Sequence, residues 1–176
     1  MRYVKIRGMF FVLLLTFVFI TACSKDSDNP VDSGKSGGVV ANAQVKVIIN
    51  GGGFDNQEVT LIEGFSSYLP EDGETYAAFW GKTGSDSIYV AFQFTGNKKG
   101  SFDWKQENYD AAVIVMDDNN ALLYLATSEG KTNVTNYGAV GEKIEGTISG
   151  KLTETSSMDD ITVNGSFSIV RAPDSE

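Results

Sequence analysis

Two short stretches carry side chains suited to recognition chemistry. In "YAAFWG", Tyr76, Ala78 and Trp80 share one face of a strand, with Ala77 and Phe79 opposite. In "SFDWK", Phe102 and Trp104 share a face, with Asp103 and Lys105 opposite. Aromatic faces with carboxylates and amides nearby suit sugars, because a flat apolar surface stacks on the ring while hydroxyls hydrogen-bond at its edge. A core holding two tryptophans is the simpler account of the same spacing, since alternation alone does not separate inside from outside. Trp104 is the better platform, because "KKGSFDWKQEN" is mostly polar, whereas the strand of Trp80 is apolar on both faces. Trp104, Trp80 and Tyr76 are therefore the candidate ligand-binding residues.

Other chemistry is more sparsely supplied. Acidic side chains sit in the loops at Asp55, Asp72, Asp86, Asp117-Asp118 and Asp159-Asp160. Clustered loop oxygens can hold Ca²⁺, a hard ion that seeks six to eight of them, and Asp117 and Asp118 are the candidates. No Asp-x-Asp-x-Asp spacing is present, and Asp and Asn equally cap turns, which is the preferred reading; no metal and no cofactor is expected. Gly-Lys-Thr occurs in "WGKTG" and "EGKTN", but the glycine a phosphate-binding loop needs five positions earlier is replaced by Tyr76 and Leu125, so both stretches read as turns. The chain has no histidine, which removes Ser-His-Asp and Cys-His hydrolysis, histidine-bound zinc or iron, and imidazole acid–base catalysis. Any reaction would fall to carboxylates, Lys, Tyr or Ser, and the expectation is a protein that is not an enzyme.

The elements that must position these residues read as β-strands. "AQVKVII" puts Ala43, Val45, Val47 and Ile49 on one face; "NGGGFDN" follows as a loop and "QEVTLI" as a second strand. "LPEDGET" is a turn. "SIYVAFQF" places Ile88, Val90, Phe92 and Phe94 on one face and Tyr89, Ala91 and Gln93 on the other. "AAVIVM" and "ALLYLAT", apolar on both faces and joined by "DDNN", read as a central hairpin. In "IEGTISGKL" the inward set is Ile144, Gly146, Ile148, Gly150 and Leu152; in "ITVNGSFSIV" it is Ile161, Val163, Gly165, Phe167 and Ile169. "ETSSMDD" joins these two as a hairpin. Glycines on an inward face mark bulges, or places where an aromatic ring lies over the backbone. No segment keeps a helical period beyond one turn. The fold class is all-β, an antiparallel β-sandwich, with a closed, lipocalin-like β-barrel as the alternative. Phe79, Phe92, Phe94, Phe102 and Phe167 can fill one core.

The front of the chain is an address. Arg2, Lys5 and Arg7 precede the apolar run Met9 to Ile20, and small residues Thr21 and Ala22 follow, so residues 1–22 read as a signal peptide. The run is too short to span a membrane, which takes about 20 apolar residues. Cys23 is the chain's one cysteine, and "ITAC" resembles the lipobox of bacterial lipoproteins, with Ile20 where Leu is usual. That resemblance implies a diacylglyceryl thioether at Cys23, cleavage before it and acylation (palmitate-type) of the new amine. Two or more acyl chains anchor stably where one does not. Residues 23–42, rich in Ser, Asp and Gly, read as a disordered tether. "CSKDSD" resembles in part the acidic export signal of Bacteroidetes-type lipoproteins, which places them on the outer face of the outer membrane; a generic polar linker with a periplasm-facing protein fits equally. Residues 43–172 make the single β domain and 173–176 a tail.

The C-terminal third, "NYGAVGEKIEGTISGKL" and then "ITVNGSFSIVR", is similar to the ending of many small Bacteroidetes-type lipoproteins of unknown function. The similarity runs over Tyr137, Gly138, Gly141, Gly146, Ser149, Gly150, Gly165, Phe167 and Arg171. It implies a β-sandwich on a lipid anchor and supplies no site residues.

Charge narrows the partners. The full chain carries −9; without Arg2, Lys5 and Arg7 it retains 11 basic against 23 acidic residues, or −12. Nucleic-acid binding is driven by Lys and Arg neutralising phosphates, so nucleic acid is excluded and membrane contact falls to the lipid. The expectation is a surface or envelope lipoprotein that binds a glycan or protein ligand or plays a structural part. The rivals are a carboxylate-based glycoside hydrolase and a lipocalin-like carrier of an apolar ligand. If Cys23 is the anchor, Cys23→Ala should leave the membrane fraction for the soluble one; a variant that still pellets with membranes after a high-salt wash contradicts the anchor.

Overall fold

The computed structural model describes residues 42–117 and 120–174. Residues 1–41, which include Cys23 and the stretches read above as signal peptide and tether, and Asp118 lie outside the described residues. Ten strands follow one another: β1 (Gln44–Gly51), β2 (Phe54–Leu61), β3 (Glu63–Leu69), β4 (Glu74–Thr83), β5 (Asp86–Thr95), β6 (Gly100–Asp103), β7 (Ala111–Met116), β8 (Ala121–Tyr137), β9 (Lys143–Glu154) and β10 (Asp160–Val170), with one 3-10 turn at Gln106–Asn108. The all-β antiparallel class is as expected.

Nine of the strands form one unbroken hydrogen-bonded path, β2-β1-β10-β9-β8-β7-β5-β4-β3, with β6 attached to β8. The two edge strands, β2 and β3, are consecutive in the chain and separated by Ile62 alone. In a flat sheet of nine strands the edges would stand about 38 Å apart, at roughly 4.8 Å per strand spacing. One residue spans about 4 Å. The sheet therefore curls into a half-barrel whose edges come together at this corner, and its two flanks face one another across one core as the layers of a sandwich do. Gly64 makes the turn possible, since a Cβ there would lie 2.6 Å from the Ala78 carbonyl oxygen and 3.0 Å from the Ala43 Cβ. Side chains close the seam: Ser66 Oγ donates to the Val170 carbonyl at 3.0 Å, and Gln57 Nε2 donates to Thr83 Oγ1 at 3.4 Å.

The inward sets are those the alternation predicts. Val45, Val47 and Ile49 on β1, Val90, Phe92 and Phe94 on β5, and Ile161, Val163, Phe167 and Ile169 on β10 are all buried in one cluster. Phe92 and Phe167 come from opposite flanks and meet with ring centroids 4.6 Å apart; Phe79 stacks on Phe92 at 6.0 Å. Phe102 is only partly buried, packed on the same core and 5.1 Å from Phe94. Aromatic rings thus bridge the interior from flank to flank. Gly146 sits opposite Phe167 in the β9–β10 ladder, and a Cβ there would reach within 2.8 Å of the Phe167 ring.

Several boundaries differ from the sequence pattern. β3, "EGFSSYL", is a strand without an apolar period, because its inward residues are the small Gly64 and Ser66. The predicted "NGGGFDN" loop shrinks to Gly52 and Gly53, with Gly51, Gly52 and Gly53 all at positive φ. Both Gly-Lys-Thr stretches, predicted as turns, are strand: Gly81 to Thr83 end β4, and Gly130 to Thr132 lie within the 17-residue β8. β8 is long because its first half pairs β7 and its second half pairs β6.

The residues that carry the C-terminal resemblance close one end of the sheet. The Arg171 guanidinium lies over the Tyr137 ring, 5.2 Å from its centroid. Thr75 Oγ1 donates to the Gly96 carbonyl at 2.7 Å, so the Tyr137 hydroxyl donates to Thr75 Oγ1 at 2.9 Å. The backbone of Arg171 exchanges hydrogen bonds with Gly141 and Glu142.

Phe167→Ala should cost about 3–5 kcal/mol, as a large buried aromatic truncated to Ala does. Ser168→Ala, on the outward side of the same strand, should stay within about 0.5 kcal/mol. Urea melts of the two variants measure the difference, and equal losses would contradict the register.

Candidate functional site

The two outer faces of the curled sheet differ in chemistry. Outward residues on β1, β9 and β10 are mostly polar: Lys46 and Asn50, then Glu145, Thr147 and Ser149, then Thr162, Asn164 and Ser166. The other flank, β3-β4-β5-β7-β8, is apolar on its outside as well. Register sets its side chains in rows across the strands. One row reads Glu63, Trp80, Tyr89, Ile114, Leu123; the next reads Phe65, Ala78, Ala91, Ala112, Leu125. A third begins Ser67, Tyr76, Gln93 and is extended by Asp110, whose carbonyl accepts the Gln93 N–H.

Three small alanines thus floor a trough between larger walls. Its β7 side is filled: Ala91, Ala112 and Tyr76 are buried in a cluster covered by Tyr109, Leu123 and Leu125. Its β3 side is open. Ala78, Phe65 and Trp80 are each only partly buried, with Phe65 and Trp80 at 6.3 Å and a 47° tilt. Trp80 Nε1 donates to Glu63 Oε2 at 2.8 Å, which fixes the indole by its polar handle while leaving ring surface to solvent. At the other end of this opening the Tyr76 hydroxyl donates to Glu74 Oε2 at 3.1 Å.

Beside Tyr76, Gln93 and Asp110 stitch the segment 104–110 to the sheet. Gln93 Nε2 donates to Asp110 Oδ1 at 3.0 Å and to the Asn108 carbonyl at 3.1 Å, and Asp110 Oδ2 accepts the Lys105 N–H at 2.7 Å. Burial pushes the Asp110 carboxyl above its ordinary value, and these donors pull it back in part. With Oδ1 on the Gln93 side-chain amide and Oδ2 on the Lys105 N–H, Asp110 is built as a structural carboxylate.

The sequence candidates divide. Trp80 is partly exposed on the open flank; Tyr76 shares that face but is corrected as a platform, because it is buried in the cluster that Tyr109, Leu123 and Leu125 cover. Trp104, the favoured platform, is corrected: it is 2 % exposed and part of the core. Its polar surroundings in the chain misled, because the indole turns inward over Gly130 and Gly150, which face each other in the β8–β9 ladder. A Cβ on either glycine would collide with the ring. Its Nε1 donates to Thr132 Oγ1 at 3.0 Å. The "EGKTN" stretch therefore serves as the seat of an indole. Asp117 caps the β7–β8 turn, its Oδ1 accepting the Asn120 N–H at 2.6 Å; its neighbour Asp118 lies outside the described residues. Among the described residues no three acidic side chains converge as a metal site would require. Phe65, Tyr89 and Ile114 also belong to the face; alternation in the sequence places Tyr89 outward, but the rows themselves depend on the strand order.

No protein family matches the chain, and neither a curated protein nor a solved structure matches it.

Gly130→Ala should be destabilising by about 1–3 kcal/mol, the usual cost of forcing atoms into a packed core, and should shift the emission of the displaced Trp104 to the red. Denaturant melts followed by fluorescence test this; a variant as stable as the parent would contradict the seating of the indole.

Proposed function

We propose that the protein is a non-enzymatic binding module, held to the outer membrane by lipid at Cys23, that presents the open part of the β3-β4-β5 face to a glycan. The observation that carries the reading is the partly exposed pair Phe65 and Trp80 beside the half-buried floor residue Ala78. Strands with one face in a core are expected to be polar on the other, as β9 and β10 are. Here the outside is aromatic, and its tryptophan is oriented by a carboxylate. A flat, fixed indole is the surface on which a sugar ring stacks, and Glu63, Glu74 and Ser67 stand at the rim to meet hydroxyls. The signal peptide, the lipobox-like "ITAC" and the polar tether support the membrane location.

The rival readings receive less support. Side chains meet across the interior at 4.6 Å between Phe92 and Phe167, where a carrier would need room for an apolar ligand. Glycoside hydrolysis needs two carboxyl groups flanking a bond, and Asp110, the carboxyl on this face whose proton affinity is raised, is committed to Gln93 and Lys105.

The test is a glycan array probed with the parent and with Trp80→Ala. The variant should lose binding while staying folded, with a stability loss smaller than the ~3–5 kcal/mol of a fully buried aromatic, since Trp80 is partly exposed. Acrylamide should quench the Trp80 emission and spare Trp104, and a bound sugar should protect Trp80. Retained binding by Trp80→Ala would contradict the proposal.

A further inference from the structure

Carboxylates stand at both ends of the open face. Two of its aromatic donors are turned onto them, Trp80 Nε1 onto Glu63 and the Tyr76 hydroxyl onto Glu74. Gln93, paired with Tyr76 across the strands, is 5 % exposed, and its Oε1 has no hydrogen-bond partner among the described residues. None of the residues in the three rows is basic; basic side chains stand at the margins, Lys82 two residues beyond Trp80 on β4 and Lys105, whose charge acts on Asp110. The local field is negative: burial first, then Glu74, Asp72 and Asp110, push the Tyr76 phenol well above its ordinary value. An anionic sugar lying between Glu63 and Glu74 would meet repulsion from these carboxylates.

A ligand matching this pattern brings donors and positive charge. An ammonium is donor-only, with three N–H groups, and it is attracted both to carboxylates and to the faces of Trp, Tyr and Phe. Tyr76 and Trp80 are four residues apart on β4, about 13 Å along the strand, so one extended ligand stacked on Trp80 can lie over Ala78 and reach Glu63 at one end and, at the other, the Glu74 carboxylate that holds the buried Tyr76. We infer that the Phe65–Ala78–Trp80 face, flanked by Glu63 and Glu74, selects an amine-bearing glycan, a sugar chain with free ammonium groups, over neutral and acidic ones. This rests on the glycan-binding reading above and adds the charge class of the sugar. The two terms divide the work: ring stacking on Trp80 holds the sugar, and the carboxylates choose among sugars.

The experiment titrates the purified full-length protein with four probes while following Trp80 fluorescence. The probes are a glucosamine oligosaccharide at a pH where its amines are protonated, its N-acetylated counterpart, an oligouronate of the same length, and a lysine-rich peptide. The glucosamine oligosaccharide should bind about tenfold tighter than the acetylated one, the scale of two partly exposed ion pairs, and the oligouronate should bind weakest. Glu63→Gln and Glu74→Gln should each narrow the ratio between the two affinities, with a larger loss for the glucosamine oligosaccharide than for the acetylated one. Equal or tighter binding of the acetylated sugar or the oligouronate overturns the amine selectivity while leaving the glycan face standing. If the lysine-rich peptide binds more tightly than the glucosamine oligosaccharide, the ligand is a protein and this inference fails. If no sugar perturbs Trp80, the glycan reading itself fails with it.

Discussion

One residue of chain, Ile62, separates the two edges of a nine-strand sheet, and most of the architecture follows from that. Edges that must meet cannot belong to a flat sheet, so the strands curl and enclose a single core. Curling also decides which side of every strand is inside. At the corner the backbone passes so close to β4 that Gly64 is the residue that fits, and the neighbouring inward position is Ser66, which bonds across the seam to β10. A larger pair there would fill the corner and hold the edges apart. The closure therefore rests on small residues where a strand ordinarily carries large ones.

The same exchange of large for small recurs through the core. Trp104 lies over Gly130 and Gly150, and Phe167 over Gly146. Each glycine provides room that one aromatic occupies, so the glycines of β8 and β9 act as receptor positions for rings arriving from elsewhere in the chain. Filling the inside with aromatic rings removes space for a guest molecule, and it makes the outer face of the β3-to-β8 flank the place where remaining aromatic surface meets water. A domain of this size needs only one apolar core. Apolar surface left outside that core, in contiguous rows and with a carboxylate fixing its indole, is a feature that interaction sites show.

How much of this was legible in the sequence depends on the range of the signal. Period-two alternation is local, and it placed Phe92, Phe94, Phe167 and the β9 and β10 inward sets correctly. It also showed that "YAAFWG" and "AAVIVM" are apolar on both sides, which is the trace of the outer face. It failed at β3, where Gly64 and Ser66 stand inward and no apolar period exists. It failed again at Trp104, because "KKGSFDWKQEN" is polar around an indole whose receptor, Gly130 with Gly150, lies more than two dozen residues away in the chain. That partnership is set by register, and register is not written within any one strand. The grouping of Phe65 with Trp80 and Glu63 is of the same kind.

The central claim is that one set of aromatic side chains is buried as ballast while another is held outside for contact. Hydroxyl-radical footprinting of the unliganded protein, read residue by residue by mass spectrometry, addresses it directly. Rapid oxidation is expected at Trp80, with Phe65 and Tyr89 following, and protection at Trp104, Phe92 and Phe167. Oxidation of Trp104 at a rate matching Trp80, or protection of Trp80 to the level of Phe92, would contradict it.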